Sequence, residues 1–472
     1  MIQLDRRQLL AGSSLLLGNA ALPAAALAAL PAGPRRLPAF YEEIERRTFR
    51  WFWDTVNRAN GLVPDRWPTP SFASIAAVGF ALPAYAIGAE HGWCKRGEAR
   101  DLTLTTLRFF WNASQRPDGP GYKGFFYHFL DMQTGARFRD VELSSVDTTI
   151  LLMGVLFAGQ YYDRDDPAER EIRRLADALY ARADWNFFRS DGRKAISMGW
   201  HPGASLIDAN WVGFNEGMCV NILALGSPTH PAPADLWEQW TAPYPKFWRG
   251  SGPTRRVAFA PLFPGQYSQI FIDFRGIRDA TMRAAGFDYF ENSRRETWAN
   301  RAYCIANPMR WRGYSKDVWG LAACDGPGGF ELPYRGETRS FFGYSARGPV
   351  GEPDGQDDGT ITPSAALGAL PFAPEIAIPC AAALMRQPGL FDRYGFVDSF
   401  NPSFRYPDAR LETGSVDPQH GWVASDYLGI DQGPILLQAA NYRDEFIWRH
   451  IRRVPAIRRG LTRAGFTGGW LR

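Results

Sequence analysis

Apolar positions recur at helical spacing through most of the 472-residue chain. Residues 39–57 place Phe40, Ile44, Phe49, Phe52 and Val56 near one face, with acidic residues early. Residues 71–91 open at Ser71 and run apolar through Ile75, Val78, Leu82 and Tyr85 to a stop at Gly92. The same period predicts helices over 97–114, 143–162, 167–184, 215–226, 232–245 and 278–300. It returns over 362–370, 373–386, 432–440 and 441–458. Residues 123–130 alternate instead, which predicts hairpin decoration rather than a sheet core. No short-period repeat is visible. Helix pairs alternating with long Trp- and Gly-rich loops predict an all-α fold, an (α/α)6 toroid with six inner and six outer helices. Loops and minor β-hairpins at one rim of such a scaffold would carry the chemistry.

One stretch organises the rest. In 211–231, WVGFNEGMCVNILALGSPTHP, Asn215 and Glu216 lead into an apolar helix that Gly226, Ser227 and Pro228 stop. Glu216 therefore stands at the mouth of a buried helix, where a carboxyl half out of water can hold its proton and serve as a general acid. The competing reading is a carboxylate that complements the positive end of the helix dipole.

Composition narrows the picture. Arg6-Arg7 precedes an apolar run, Leu9–Leu17, and a small-residue stretch, Ala20–Ala32. That order predicts a Tat-type export signal over 1–34 and a periplasmic or secreted protein. The apolar run is too short to leave a stable membrane anchor. No linker-like tract divides 35–472, so one domain is expected there. The net charge of +4 is small and dispersed, which argues against nucleic acid as a partner. Five scattered cysteines lack metal spacing, although a Cys304–Cys324 disulfide is open in an oxidising compartment. The six histidines are unpaired, so neither metal nor cofactor is expected. Aromatic residues make up 14%, many of them in polar loops, as a carbohydrate ligand would require.

Carboxylates gather at other predicted helix mouths. Asp147 follows a capping pair, Ser144-Ser145, and Asp431 precedes the apolar run Pro434–Ala440. Facing carboxylates are what glycoside hydrolysis needs, one to protonate the leaving oxygen and one to activate water or attack. No Ser-His-Asp order, zinc spacing or phosphate loop competes with that chemistry.

Several motifs carry a resemblance. Gly61–Arg66 (GLVPDR), Ser74–Phe80 (SIAAVGF), Gly213–Glu216 (GFNE), Leu223–Pro231 (LALGSPTHP), Ile272–Arg275 (IDFR), Asp358–Pro363 (DGTITP) and Gly429–Pro434 (GIDQGP) occur together. In combination they resemble the bacterial glycoamylase-like domain family, which includes endo-β-1,2-glucanases and a domain of cyclic β-1,2-glucan synthases. The resemblance spans roughly residues 38–460. It implies an (α/α)6 barrel that cuts β-1,2-linked glucan with inversion, with Glu216 as the acid. For the base it leaves Asp147 and Asp431, with Asp140, Glu142 and Asp358 behind them. Gln269 stands where many relatives carry a histidine.

The resulting expectation is an exported, monomeric, metal-independent glycosidase acting endo on a β-glucan. Trp211, Trp422, Tyr267 and Tyr344 are the expected stacking surfaces. Arg66, His201, Gln269, Arg275 and Asp358 are the expected sugar-binding polar groups. A transglycosylase, a hydrolase for another linkage and a non-catalytic glucan-binding protein are the alternatives.

Overall fold

The computed structural model describes residues 35–472; the expected export signal, 1–34, lies outside the described residues. The helices are α1 (Ala39–Thr55), α2 (Ile75–Glu90), α3 (Arg96–Asn112), α4 (Ser145–Tyr161), α5 (Pro167–Ala181), α6 (Met218–Gly226), α7 (Leu236–Thr241) and α8 (Phe263–Phe271). They continue with α9 (Ala280–Ala285), α10 (Tyr289–Ala306), α11 (Pro363–Leu367), α12 (Pro374–Leu384), α13 (Gly429–Asp444), α14 (Phe446–Ile451) and α15 (Pro455–Arg463).

Six of these helices, α2, α4, α6, α8, α11 and α13, form an inner ring. α2 packs on α4, α4 on α6 and α11 on α13, and α13 closes on α2. Cys219 of α6 reaches the Ser268 carbonyl of α8, and Gln266 of α8 donates to the Ala365 carbonyl of α11. At the starts of α2 and α13 the Ile75 and Gly429 amides donate to the His128 and Asp65 carbonyls, so these inner helices present their N-termini at one rim. The inner helices α2, α4 and α6 are apolar on nearly all sides because they are buried on nearly all sides; every residue of α6 is buried. The outer layer, α1, α3, α5, α7, α10 and α12, shows the one-sided pattern of half-buried helices, and the fold is an (α/α)6 barrel. One continuous apolar cluster runs through both layers.

Close approach sets α2 against α4. A Cβ on Gly154 would lie 2.1 Å from the Gly79 carbonyl oxygen, so only glycine lets these backbones touch. At the opposite rim, arginines bond the exposed carbonyls of helix C-termini. Arg459 binds the Gly226 carbonyl through two nitrogens, Arg463 binds that of Leu225 and Arg96 that of Tyr161. A cation at a helix C-terminus also offsets the dipole. Arg459 and Arg463 of the basic C-terminal stretch are thus spent on the fold, while Arg449, Arg453 and Arg458 are exposed.

Several predicted elements shift. Residues 263–275, outside every predicted helix, contain α8, because Pro264 sits in the first turn, where proline starts a helix. The predicted helix 278–300 breaks at Gly286, which takes φ +83°. The stretch 441–458 belongs to three helices, with Glu445 left-handed between α13 and α14. Residues 123–130 supply one hairpin of a four-stranded sheet at the site rim, Gly121–Tyr122, Phe125–Tyr127, Leu143–Ser144 and Gly199–Trp200. All five cysteines are free, so the Cys304–Cys324 bridge is not formed. No described helix is long and apolar enough to cross a membrane.

Candidate active site

The N-terminal rim of the inner ring gathers carboxylates from segments far apart in the chain. At α4, Ser144 caps the helix and also donates to Asp147 Oδ2 at 2.5 Å. Asp147 is buried, and its Oδ1 lies 3.4 Å from His128 Nε2. The other imidazole nitrogen, Nδ1, lies 2.9 Å from Glu142 Oε1. Antiparallel pairing of Tyr127 with Leu143 brings these three residues together, and the His128 amide donates to the Glu142 carbonyl.

Burial alone would push the His128 imidazole down, but Asp147 and then Glu142 outweigh it and raise the group to about 9. Glu142 is held below its ordinary range because His128, and more weakly His201, overcome its burial. The donor atoms of His128, Glu142 and Asp147 lie within 4.8 Å of one another, as metal ligands could. Both imidazole nitrogens already face carboxylates, however, and the imidazolium supplies the countercharge.

This pairing has a pH signature. A group raised from about 6.5 in the unfolded chain stabilises the fold fully below that pH and loses the effect as pH rises through about 9. Denaturation of wild type and His128→Gln should therefore differ most below pH of about 6.5 and converge toward pH of about 9. A constant difference across that window would contradict the ion pair.

On the other side of α2 from α4, Asp431 lies in the first turn of α13 and is buried. Burial raises it to about 6, while hydrogen bonds from Asp398 and Ser364 restrain the rise. Beside it stand Asp398 and Asp325, both raised chiefly by burial. Arg66 is the local cation. Its Nη1 lies 2.9 Å from Asp325 and 3.6 Å from Asp426, and its Nε 3.3 Å from Asp65. Tyr267 donates its hydroxyl to the Ile430 carbonyl at 3.1 Å. Its hydroxyl is pushed up by burial first, then by Asp431, Tyr344 and Glu216, so it lies within the field of both Asp431 and Glu216. Tyr344 feels burial, then Asp431, Asp398 and Asp65.

Glu216 is half-buried in the turn that leads into α6. Asn215 shapes that turn, accepting from the Gly217 amide at 3.0 Å and donating to the Val212 carbonyl at 2.9 Å. Ser268 of α8 donates to the Glu216 carbonyl at 3.4 Å. In the ring order, α6 and α13 are three helices apart. Glu216 and Asp431 therefore belong to opposite inner helices, while Asp147 belongs to a neighbour of α6.

Among the expected binding residues, Arg66, Tyr267 and Tyr344 line this cluster. His201 stands by Glu142 instead, its Nδ1 3.5 Å from Arg137 Nη2. Five expectations are corrected. Trp211 is 2% exposed and Trp422 0% exposed, so neither offers a face to a sugar. Their indole nitrogens donate to Ser145 Oγ and to the Thr413 carbonyl. Gln269 is buried between α8 and α10, with its amide on Gly265, Tyr289 and Ser293. Arg275 lies past the C-terminus of α8, away from the rim. It pairs with Asp273 and Glu445 and covers the Trp448 ring at 4.3 Å. Asp358 is wholly buried against Arg347, so it neither binds substrate nor serves as the base. Asp140, a lesser base candidate, is exposed on the loop before the rim sheet.

Sequence reasoning missed His128 and Asp325 and assigned Asp398 no role. The available signals were a histidine embedded in an aromatic strand fourteen residues before Glu142, and acids beside Cys324 and Ser399 in otherwise apolar stretches.

Residues 208–455 match the glycoamylase family, described as "putative glucoamylase". An exo β-1,2-glucooligosaccharide sophorohydrolase (non-reducing end) of Parabacteroides distasonis is 25% identical over 451 residues, 89% of this chain. The chain spans 56% of that relative's length. The crystal structure of a putative glucoamylase from Bacteroides uniformis is 30% identical, with a TM-score of 0.79, over 93% of this chain and 100% of that one. An endo-β-1,2-glucanase from Chitinophaga pinensis, in complex with sophorotriose and glucose, is 25% identical with a TM-score of 0.77, over 92% and 99% of the two chains.

Proposed function

The chain belongs to the glycoamylase family, and on that premise we propose that it is a glycoside hydrolase that cleaves β-1,2-glucan internally. The observation that carries this reading is the pair of carboxyls at the mouths of opposite inner helices, Glu216 and Asp431, both of which act electrostatically on the Tyr267 hydroxyl. Two of its relatives act on β-1,2-linked glucose.

In the proposed reaction Glu216 gives its proton to the glycosidic oxygen as the bond from the anomeric carbon breaks. Asp431 takes a proton from water as that water's oxygen attacks the same carbon from the opposite face. The products are a free hydroxyl on the leaving glucan and an inverted hemiacetal on the other. A base near 6 is ionised at neutral pH yet basic enough to accept that proton. Asp147, neutralised by His128, orders the flank of the site beside α6. The reading extends to residues 35–472 as one catalytic domain, monomeric and exported through the Arg6-Arg7 leader.

The test incubates the protein with β-1,2-, β-1,3- and β-1,4-glucans and follows reducing ends and product size. Cleavage of the β-1,2-linked polymer alone, with early products of several lengths, is expected. A disaccharide as sole early product would favour exo release, as in the Parabacteroides relative. No reducing ends from any glucan would overturn the hydrolase assignment.

A further inference from the structure

Asp398 has no part in the reaction just described, yet its surroundings are unusual for a carboxyl. It is 2% exposed, and Asp431 is 4% exposed. Asp398 Oδ2 accepts from the Asp325 amide at 2.5 Å and from the Ser399 hydroxyl at 3.2 Å. Among the described residues, nothing donates to the buried Asp398 Oδ1 or Asp431 Oδ2, and the two carboxyls lie close enough to shift one another directly. Two carboxylates cannot share a hydrogen bond unless one proton lies between them. Leaving both buried oxygens without a donor would cost each its full desolvation.

We propose that Asp398 is the positioning partner of Asp431: it holds the single proton of the pair and donates it to Asp431, aiming the base at the water. The inference rests on the hydrolase reading above. The division of roles follows from the neighbours. Asp398 already accepts two hydrogen bonds on Oδ2, which leaves Oδ1 to bear the proton. Asp431 has Ser364 as a second donor and so is the better anion.

The groups around the pair agree with one retained proton. Asp325, Asp65 and Asp426 add negative charge, and Arg66 offsets part of it. Tyr267 and Tyr344 stay neutral across the cavity. Behind Asp398 the Arg347 cation is already neutralised by Asp358. A second carboxylate in this setting is disfavoured by burial first and by Asp431 and Asp325 after it. Such a dyad titrates in two steps that belong to the pair.

The test compares Asp398→Asn, Asp398→Ala and Asp431→Asn in the full chain, on β-1,2-glucan, from about pH 4 to about pH 9. Asparagine at 398 keeps a neutral donor, so kcat/KM should stay within about tenfold of wild type, with the acid limb still near pH of about 6. Alanine removes the donor that holds Asp431 down, so the acid limb should move to higher pH by about one unit and kcat should fall on the order of 100-fold. Asp431→Asn should be inactive at every pH. A second readout does not need turnover. The infrared difference spectrum of wild type minus Asp398→Asn at neutral pH should contain the C=O band of a protonated carboxyl. An alanine profile that superimposes on wild type, an asparagine variant as inactive as Asp431→Asn, or a difference spectrum without that band would each overturn the proposal. If wild type cleaves no glucan, the hydrolase reading fails, and the infrared band alone decides the dyad.

Discussion

Glu216→Gln is expected to lower kcat on β-1,2-glucan by roughly three orders of magnitude, about 4 kcal/mol of transition-state stabilisation. The substitution is nearly isosteric and keeps a hydrogen-bonding head, but an amide has no proton to give to a glycosidic oxygen. The turn that carries Glu216 is held through backbone groups by Asn215 and Ser268. Thermal stability should therefore stay near that of wild type, and substrate should still bind. The loss should appear in kcat rather than KM, since the proton moves only in the transition state. Initial rates on the polymer, together with binding measured on the inactive variant, check this. Undiminished turnover by Glu216→Gln would remove the residue from the chemistry.

Arg347→Met should cost about 3–5 kcal/mol of folding stability. Arg347 and Asp358 are both 0% exposed and joined by two hydrogen bonds, at 2.8 and 2.9 Å. The remaining guanidinium donors bind the carbonyls of Cys324, Ser345, Phe342 and Gly343. Methionine fills much of the volume but leaves Asp358 charged and buried without a cation, and four carbonyls without that donor. The double change Arg347→Met with Asp358→Asn should recover part of the loss, because the unpaired charge dominates the cost. Denaturant unfolding of the three variants measures both effects, and a loss below about 1 kcal/mol would refute the argument. The same loop carries Tyr344 to the site, so activity should fall with stability.

Much of the fold was legible along the chain because helix formation and burial leave local marks. Period, caps and the all-round apolar character of α2, α4 and α6 are visible without partners. The exceptions have local causes as well. Pro264-Gly265 reads as a loop but begins α8, and the chain between α9 and α10 turns at one left-handed glycine. The candidate site was legible only where a candidate residue belongs to a helix mouth. Glu216, Asp147 and Asp431 qualify, since each precedes or opens an apolar run.

Whether a tryptophan is a platform or a core residue depends on what covers it. Trp211 and Trp422 stand in polar loops, yet tertiary contacts bury them. Gln269 and Arg275 are polar residues whose partners, Ser293 and Glu445, come from other helices. By itself the sequence determined most of the helices and the three carboxylates at helix mouths, because these depend on neighbours within a few turns. Only the tertiary structure decided which acids meet. Ring closure brings Asp65, Asp325, Asp398 and Asp431 to one rim from stations hundreds of residues apart. Their mutual repulsion and desolvation, which share one proton between Asp398 and Asp431, exist only once water has been excluded from between them.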